Sequence, residues 1–310
     1  MSTNQKAALL PSKHGKIEIG IRPIPSLGPK EVLVRVTAAA INPVDWKVGI
    51  GKLDAETTAY IKVDNRQRYN RAIVEDYPAV LGTDGAGTIE SVGPDVTTLH
   101  RGDRVFFQGR YTSNLATFQQ YAAADSEMMA KTPNNISDDQ ASTIPVASVA
   151  AMLGLFQESH IPLPLNGPTA SGRSILILGG SSSVGQYAIQ LARIAGFSPI
   201  VTTASEKYTE YLQSLGATRI LDRNSDVKTL QSAFVEHVSF VLDAISLPET
   251  QSVAFEVLTT PNPVPEAHLA VVLKFQAALK TKNEALGSRS VAVNDVWGIS
   301  HLYRDITIPF

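Results

Sequence analysis

The chain of 310 residues contains no cysteine. Disulfide bonds, cysteine nucleophiles and thiolate metal ligands are therefore excluded. Histidine is scarce and scattered, and no HExxH-like pair exists. Folding could still gather distant ligands, but the spacing predicts no catalytic metal. The six histidines are His14, His100, His160, His237, His268 and His301.

A strong charge of either sign is also missing. Charged residues make up 18% of the chain and the net charge is −2, so no basic field exists to attract nucleic acid or an anionic membrane. The apolar runs are shorter than the ~20 residues that a membrane span needs. The N-terminus, "MSTNQKAALLPSKHGK", lacks the apolar core of a signal peptide. We expect a cytoplasmic protein without nucleic-acid or membrane partners.

Apolar residues are plentiful, at 44% of the chain, and the length suggests about two domains. The first part, to about residue 130, is predicted to be β-rich, because apolar stretches such as Glu31–Asn42 and Arg101–Phe107 are separated by glycine-containing turns. From Ser174 onward strand patterns alternate with helical patterns. That order is typical of a parallel sheet with helices on both faces. The sequence therefore predicts an α/β protein of two unlike domains.

The stretch "ILILGGSSSVGQYAIQLARIAG" (Ile175–Gly196) predicts a buried strand, a glycine turn and a helix. Backbone N–H groups at a helix N-terminus bind anions, and small serines let a pyrophosphate approach. The strict GxGxxG pattern of dinucleotide sites fails here, so a strand-to-helix connection that binds nothing is the alternative. A bulky residue at Gly180 or Ser182 is expected to block binding and to leave the fold intact. The candidate phosphate-binding residues are Gly180, Ser181, Ser182, Ser183 and Val184.

Four motifs occur in order: "INPVDWK", "YPAVLGTDGAG", "GDRVF" and "GGSSSVGQYAIQLA". Together they resemble the medium-chain dehydrogenase/reductase superfamily. More narrowly, they resemble its zinc-independent branch, with quinone reductases and the trans-acting enoyl reductases of fungal polyketide synthesis. The resemblance implies a GroES-like β-barrel domain over residues 1–135. It also implies an NADPH-binding Rossmann domain with a doubly wound parallel sheet over residues 136–300. Because relatives continue further, residues 301–310 are expected to be a tail in place of the family's closing segment.

The resemblance also implies where ligands would lie. Zinc-dependent members need cysteine and histidine ligands, and Asn42 and Thr83 stand near where such ligands would fall. Asp45 has a second interpretation, since turn aspartates often bond their own backbone. The residues expected to border the cofactor outside the glycine turn are Val44, Asp45, Trp46, Lys47, Ala244 and Ile245.

An apolar helical stretch is expected, by the same resemblance, to wall the substrate pocket. A core helix is the alternative interpretation. Relatives often carry a threonine near the nicotinamide at a position where this chain has Ala150. No general acid is assigned, because Tyr60, Tyr69 and Tyr77 have no motif to support them. The predicted substrate-wall residues are Ala147, Ser148, Val149, Ala150, Ala151, Met152, Leu153 and Gly154.

NADPH is predicted over NADH from the end of the second strand of the Rossmann domain. NAD-selective sites place an acid there, and this strand ends "TTAS" without one in register. Glu206, one step later, is the argument for NAD. The alternative is that Ser205 only caps its helix and the cations are surface charges. The residues implied around the 2′-phosphate or ribose are Ser205, Glu206, Lys207, Tyr208 and Arg223.

These features predict a zinc-independent, NADPH-dependent reductase. Its expected substrate is a small-molecule or carrier-bound unsaturated carbonyl, such as an enoyl thioester, enone or quinone. A nucleotide-binding protein with a partner or regulatory role and no turnover is the competing hypothesis, favoured by Ala150, the missing acid and the short C-terminus. Monomer and homodimer stay open.

Overall fold

The computed structural model describes residues 3–49, 62–63, 67–68, 74, 76–110, 112–157 and 159–296. The chain divides into two compact units, the first ending at Val146 and the second beginning at Ala147. The expected tail at residues 301–310 lies outside the described residues, as do Tyr60 and Tyr69.

Antiparallel β-structure dominates the first unit. One sheet has the strand order β2-β1-β6, with β1 (Asn4–Leu10), β2 (Glu18–Pro23) and β6 (Ala79–Val80). A second has the order β10-β8-β7-β3-β9, with β3 (Glu31–Ala40), β7 (Asp84–Val92), β8 (Arg104–Gln108), β9 (Tyr121–Asp125) and β10 (Met129–Lys131). Strands β4 (Lys62–Val63) and β5 (Gln67–Arg68) form a short pair of their own.

The second sheet of this unit holds a compact apolar core. Val32 and Val34 of β3, Ile89 of β7 and Val105 and Phe107 of β8 are almost completely buried in one cluster. Val32 and Val34 are two residues apart, as are Val105 and Phe107, so each pair lies on one face of its strand. The β-rich first part that the sequence predicts is therefore observed.

Helices of the first unit are short. Helix α1 (Pro43–Gly49) follows β3, and α2 (Asp138–Ser142) begins at a capping box. The Ser137 hydroxyl accepts the Gln140 N–H at 3.2 Å, and the Gln140 side chain accepts the Ser137 N–H at 3.0 Å. Helix α3 (Pro145–Met152) starts at the end of the first unit and is followed by a π-helical turn (Leu153–Gln157).

The second unit contains a six-stranded parallel sheet of order β13-β12-β11-β14-β15-β16. The strands are β11 (Ile175–Leu178), β12 (Ile200–Ala204), β13 (Arg219–Asp222), β14 (Phe240–Asp243), β15 (His268–Val271) and β16 (Ala292–Asp295). The chain moves outward from β11 to β13, returns to β14, and moves the other way to β16. This reversal makes the sheet doubly wound, as predicted, and sets its switch point between β11 and β14.

Helices connect these strands. They are α4 (Ser183–Ala195), α5 (Thr209–Leu215), α6 (Val227–Gln231), α7 (Pro248–Thr259) and α8 (Ala277–Glu284). The apolar face of α4 packs on the sheet through Ala188, Ile189 and Ala192, which are fully buried. None of the helices in the described ranges is long and apolar enough to cross a membrane.

One predicted helix starts differently in the structure. The sequence predicts a single helix capped by Ser205, but a 3₁₀ turn (Glu206–Tyr208) comes first and α5 begins only at Thr209. The Tyr208 N–H donates to the Ser205 carbonyl at 3.0 Å, which closes the tighter turn. Ser205 stands at the N-cap of this turn, but its hydroxyl makes no capping hydrogen bond.

Candidate functional site

The glycine turn of the second unit follows the buried strand β11. Gly179 has a φ of +80°, a conformation that glycine adopts without strain. Its N–H donates to the Thr203 hydroxyl at 3.0 Å, and the Gly180 N–H donates to the Thr203 carbonyl at 2.9 Å. The turn is therefore fastened to the neighbouring strand β12.

Two glycines of this turn are required by close packing. A Cβ on Gly180 would lie 2.1 Å from the Thr202 hydroxyl, and Thr202 is fully buried on β12. A Cβ on Gly185 would lie 2.2 Å from the Gly179 carbonyl oxygen. The expectation that a bulky residue at Gly180 leaves the fold intact is therefore wrong, because that side chain would enter the sheet.

The N-terminus of α4 faces the solvent side of this turn. The Ser182 hydroxyl caps the helix by accepting the Gly185 N–H at 3.1 Å. The backbone N–H groups of Ser181, Ser183 and Val184 donate no hydrogen bond to any residue that the structure describes. Donors of this kind at the N-terminus of a 13-residue helix are suited to an anion such as a phosphate, and contact with a cofactor stays a prediction.

The carboxyl end of β14 lies beside the glycine turn. Leu178 pairs with Asp243, and the Ala244 N–H donates to the Leu178 carbonyl at 3.1 Å. A Cβ on Gly179 would lie 2.4 Å from the Ile245 side chain. The structure thus brings Ala244 and Ile245 to the switch point with the turn.

Asp243 is a buried carboxylate that holds this end of β14 in place. One oxygen accepts the N–H groups of Ile245 at 3.0 Å and Ser246 at 2.9 Å, and the other accepts the Thr250 hydroxyl at 2.8 Å. Burial raises the pKa of Asp243, and these hydrogen bonds oppose the rise. Sequence reasoning assigned Asp243 no role, although an acid that ends an apolar strand in "LDAIS" is a usable signal.

The predicted 2′-phosphate residues converge at the same sheet edge. Ala204 pairs with Asp222 in parallel register, so Ser205 and Arg223 are the next residues of adjacent strands. Lys207 and Arg223 are exposed, and the Lys207 ammonium lies 5.0 Å from the centre of the Tyr208 ring. The two cations and the two hydroxyls therefore belong to residues that follow the adjacent strands β12 and β13. Glu206 and Asp222, also exposed there, bring opposing charge.

The first unit has a different polar cluster, which we call the carboxyl cluster: Asn42, Asp45, Thr83 and Asp84. The Asn42 amide donates to the Thr83 hydroxyl at 3.1 Å and to Asp84 at 2.9 Å. The other Asp84 oxygen accepts the N–H of Val146, in the first turn of α3, at 2.9 Å. Asp84 thus caps α3 from a distant strand.

Burial shifts the pKa values of both carboxyls of this cluster upward. Burial raises the pKa of Asp84 to about 7, with nearby Asp45 adding to the rise. Burial likewise raises the pKa of Asp45 to about 6, against the Asn42 N–H bond to Asp45 at 2.8 Å. The second Asp45 oxygen is buried without a hydrogen-bond partner among the described residues.

Residues 44–47, predicted to border the cofactor, lie in α1. The Asp45 side chain accepts the backbone N–H of Asn42, in line with its second interpretation as a residue that holds the loop, while Val44 packs beside the apolar cluster of Leu10 and Leu81. Trp46 is half exposed, and the Lys47 ammonium lies 5.9 Å from its ring centre. Contact of these residues with a cofactor stays a prediction.

The predicted substrate wall forms most of α3 and the π-helical turn. Ala147, Ala150, Ala151, Leu153 and Gly154 are buried, and a Cβ on Gly154 would lie 3.1 Å from Leu242 of the central sheet. Ser148, Val149 and Met152 are half-buried. The core interpretation therefore holds for the buried members, and contact with a substrate stays a prediction.

Candidate metal ligands and candidate proton donors are sparse among the described residues. No group of three or more histidine, cysteine, aspartate or glutamate side chains is placed to hold a metal in the described part of the chain. Tyr77 is partly exposed, next to Pro78. Sequence reasoning missed Thr203 and Asp84, whose tertiary contacts leave no local pattern.

Comparison with known families gives two matches. The family described as alcohol dehydrogenase GroES-like domain matches residues 28–134, and the family described as zinc-binding dehydrogenase matches residues 183–262.

Similar proteins occur among fungal enzymes. The chain is 32% identical to trans-enoyl reductase tazE of Aspergillus terreus, over 79% of this chain and 74% of that protein. It is 36% identical to dehydrogenase azaJ of Aspergillus niger, over 70% of this chain. The match spans only 59% of the length of azaJ.

Solved structures share the architecture. An alcohol dehydrogenase superfamily protein from Novosphingobium aromaticivorans superposes with a TM-score of 0.77 at 25% identity, covering 98% of this chain and 82% of that one. The quinone oxidoreductase from Coxiella burnetii gives a TM-score of 0.70 at 22% identity, covering 97% and 86%. The latter likeness concerns the fold alone.

Proposed function

The chain belongs to the medium-chain dehydrogenase/reductase superfamily, and from that premise we propose that it is an NADPH-dependent, zinc-independent oxidoreductase. In this proposal it reduces an activated C=C bond of an enoyl thioester, enone or quinone by hydride transfer. Membership of this family supports the general conclusion that the chain is an oxidoreductase with a Rossmann-type nicotinamide-binding unit. The cofactor choice and the substrate class are our inference.

The observation that carries the proposal is the N-terminus of α4. Three backbone donors of the glycine turn, on Ser181, Ser183 and Val184, have no acceptor among the described residues. A pyrophosphate is an anion of the kind that such donors bind. Ala244 and Ile245, at the same switch point, would border the nicotinamide ribose.

The choice of NADPH rests on charge at the ends of β12 and β13. A 2′-phosphate is a dianion, and Lys207 and Arg223 are exposed cations beside the Ser205 and Tyr208 hydroxyls. Arginine offers forked donors that suit a phosphate. Because the Ser205 hydroxyl makes no capping hydrogen bond, it is available to a ligand.

Zinc independence rests on the donor set. The chain has no cysteine, and Asn42 and Thr83 stand where the resemblance would put ligands. These two side chains bond each other, and Asn42 also bonds Asp84. An amide, a hydroxyl and a carboxyl of raised pKa are poor replacements for thiolate and imidazole. A reductase without zinc would have to stabilise the negative charge that develops on the substrate carbonyl oxygen. N–H groups, a hydroxyl or water could do so.

The direct test is reductase activity of the purified chain. NADPH oxidation is followed by absorbance with a panel of enoyl thioesters, enones and quinones, and zinc is measured by elemental analysis. The proposal expects turnover of at least one panel member, preference for NADPH and less than stoichiometric zinc. Tight NADPH binding without any turnover would instead support a binding or regulatory role, and one firmly held zinc per chain would contradict zinc independence.

A further inference from the structure

Strand β2 of the first unit has an unusual outer side. Among the strands that the structure describes, it is the edge strand of its sheet, with β1 as its neighbour. Ile17, Ile19 and Ile21 are 52%, 73% and 63% exposed, in and just before this strand. Edge strands are usually protected by charge, bulges or cover, and grouped exposed apolar side chains mark contact surfaces.

The backbone of β2 also has N–H and C=O groups that point away from β1. The Ile24 N–H donates to Thr3, so residue 24 faces the neighbouring strand β1. Hydrogen-bonding direction alternates along an antiparallel strand. Gly20 and Arg22 therefore also bond toward β1, and the N–H and C=O groups of Ile19 and Ile21 point outward.

We propose that β2 pairs with β2 of a second copy of this chain, antiparallel and centred on Gly20. A two-fold axis at Gly20 sets Ile19 opposite the second copy's Ile21 and Ile21 opposite its Ile19. Both residues of each pair carry outward N–H and C=O groups, so each pair can exchange both hydrogen bonds. The isoleucines then lie on one face of a joined sheet, where cross-strand β-branched pairs stabilise the contact.

Electrostatics and hydrogen bonding favour the register centred on Gly20 over those centred on Ile19 or Ile21. Centred on Gly20, Glu18 faces Arg22 of the second copy, which is an attraction on both sides of the axis. The Arg22 guanidinium donates to the Ser113 carbonyl, Gln119 and Asn114 of its own chain, so its charge has a fixed position. Centring on Ile19 would set Lys16 opposite Arg22, and centring on Ile21 would set Ile19 opposite Pro23, which lacks an N–H.

The predicted association is weak. One strand pair with two apolar contacts buries less than the ~1,200 Å² of stable specific interfaces. We therefore expect a reversible dimer with a dissociation constant on the order of 10–100 µM.

Sedimentation velocity on the full chain tests the proposal, over a range from about 1 to about 200 µM that brackets this constant. The wild type should shift from monomer to dimer. The variant Ile19→Lys/Ile21→Lys brings like charges together at the seam and should weaken the dimer at least tenfold. Its control is Ile194→Lys, at another exposed isoleucine (53%), on α4 of the other unit. These side chains are exposed, so the fold should persist in all variants.

Two further measurements test the register. Mixing Ile19→Lys with Ile21→Glu should restore the dimer, because the new lysine and glutamate face each other only when the axis is at Gly20. Hydrogen exchange should show the Ile19 and Ile21 amides becoming protected as concentration rises, while the Gly20 and Arg22 amides are protected throughout. A chain that stays monomeric, or a dimer that the double lysine variant leaves intact, would overturn the proposal. No readout depends on enzymatic activity.

Discussion

The carboxyl cluster of the first unit and the glycine turn of the second are both polar sites next to a helix N-terminus, but their hydrogen bonds are arranged in opposite ways. In the carboxyl cluster, Asp84 is 1% exposed and accepts hydrogen bonds from the Asn42 side chain and the Val146 N–H. In the glycine turn, Ser183 is exposed, and its N–H has no acceptor in the described structure. The first helix end is capped by a side chain from a distant strand, whereas the second has the local Ser182 cap and keeps N–H groups without an acceptor in the described structure.

This contrast shows that a helix N-terminus alone does not identify a binding site. The short helix α3 receives a carboxylate from strand β7, which removes its need for an external anion. The longer helix α4 receives only the Ser182 hydroxyl, on the Gly185 N–H.

Gly180→Val should destabilise the second unit by about 3 kcal/mol, since a Cβ there meets the buried Thr202 hydroxyl and would break its 2.7 Å bond to the Ile177 carbonyl. Thermal unfolding measures the change. Ser183→Val, at an exposed position of the same turn, is the control and should leave the melting temperature nearly unchanged. Equal melting temperatures for both variants would show that the turn can move away from β12.

Raising the pH should weaken the first unit. The pKa values of Asp84 and Asp45 are raised to about 7 and about 6 from the usual 3.8, so the folded state holds protons that the unfolded chain releases. Their contribution is therefore fully present below pH 3.8 and is lost as the pH rises through about 6 and about 7. We expect a loss of about 2 kcal/mol between pH 6 and pH 8.

Denaturant unfolding across this pH range measures the slope. Asp84→Asn removes one titrating group and should flatten it, whereas Asp76→Asn, at an exposed acid, should not. A slope that Asp84→Asn leaves unchanged would mean that other groups control the pH dependence.

Much of the fold is visible in the sequence, because local patterns determine it. The capping box of Ser137 and Gln140, the buried run Ile175–Leu178 and the strand–helix alternation after it all depend on residues near one another. The α5 start was mispredicted because a serine before "EKY" fits a cap as well as a 3₁₀ turn, and the choice depends on a backbone hydrogen bond that the sequence does not show.

The candidate site likewise has a part that could be predicted from the sequence and a part that could not. The phosphate turn could be found from Gly179, Gly180 and the serines, since they are consecutive. The roles of Thr203 and Asp84 could not, because Thr203 acts on a turn 24 residues away and Asp84 on a helix 62 residues away. Such contacts exist only once the strands are paired.

Lys207→Ala and Arg223→Ala should each weaken NADPH binding about tenfold, because a charged hydrogen bond to phosphate contributes roughly 1.5–3 kcal/mol. NADH lacks the 2′-phosphate, so its affinity should hardly change. Calorimetric titration of both cofactors measures the difference, and Lys228→Ala, an exposed lysine of α6, is the control. Equal losses for NADH and NADPH, or tighter NADH binding by the wild type, would refute the 2′-phosphate assignment.

The smallest expected effects separate two adjacent serines of the glycine turn. Ser182→Ala removes the hydroxyl that caps α4 at 3.1 Å and should lower the unfolding free energy by about 1 kcal/mol. Ser183→Ala removes an exposed hydroxyl without a described partner, so stability should stay the same. If that hydroxyl donates to the pyrophosphate, NADPH and NADH should both weaken, by about 1 kcal/mol or roughly fivefold. Denaturant unfolding and calorimetry of the same two variants measure both quantities. If Ser183→Ala changed neither, the serine hydroxyl would have no part in binding, and the site would depend on the backbone N–H groups alone.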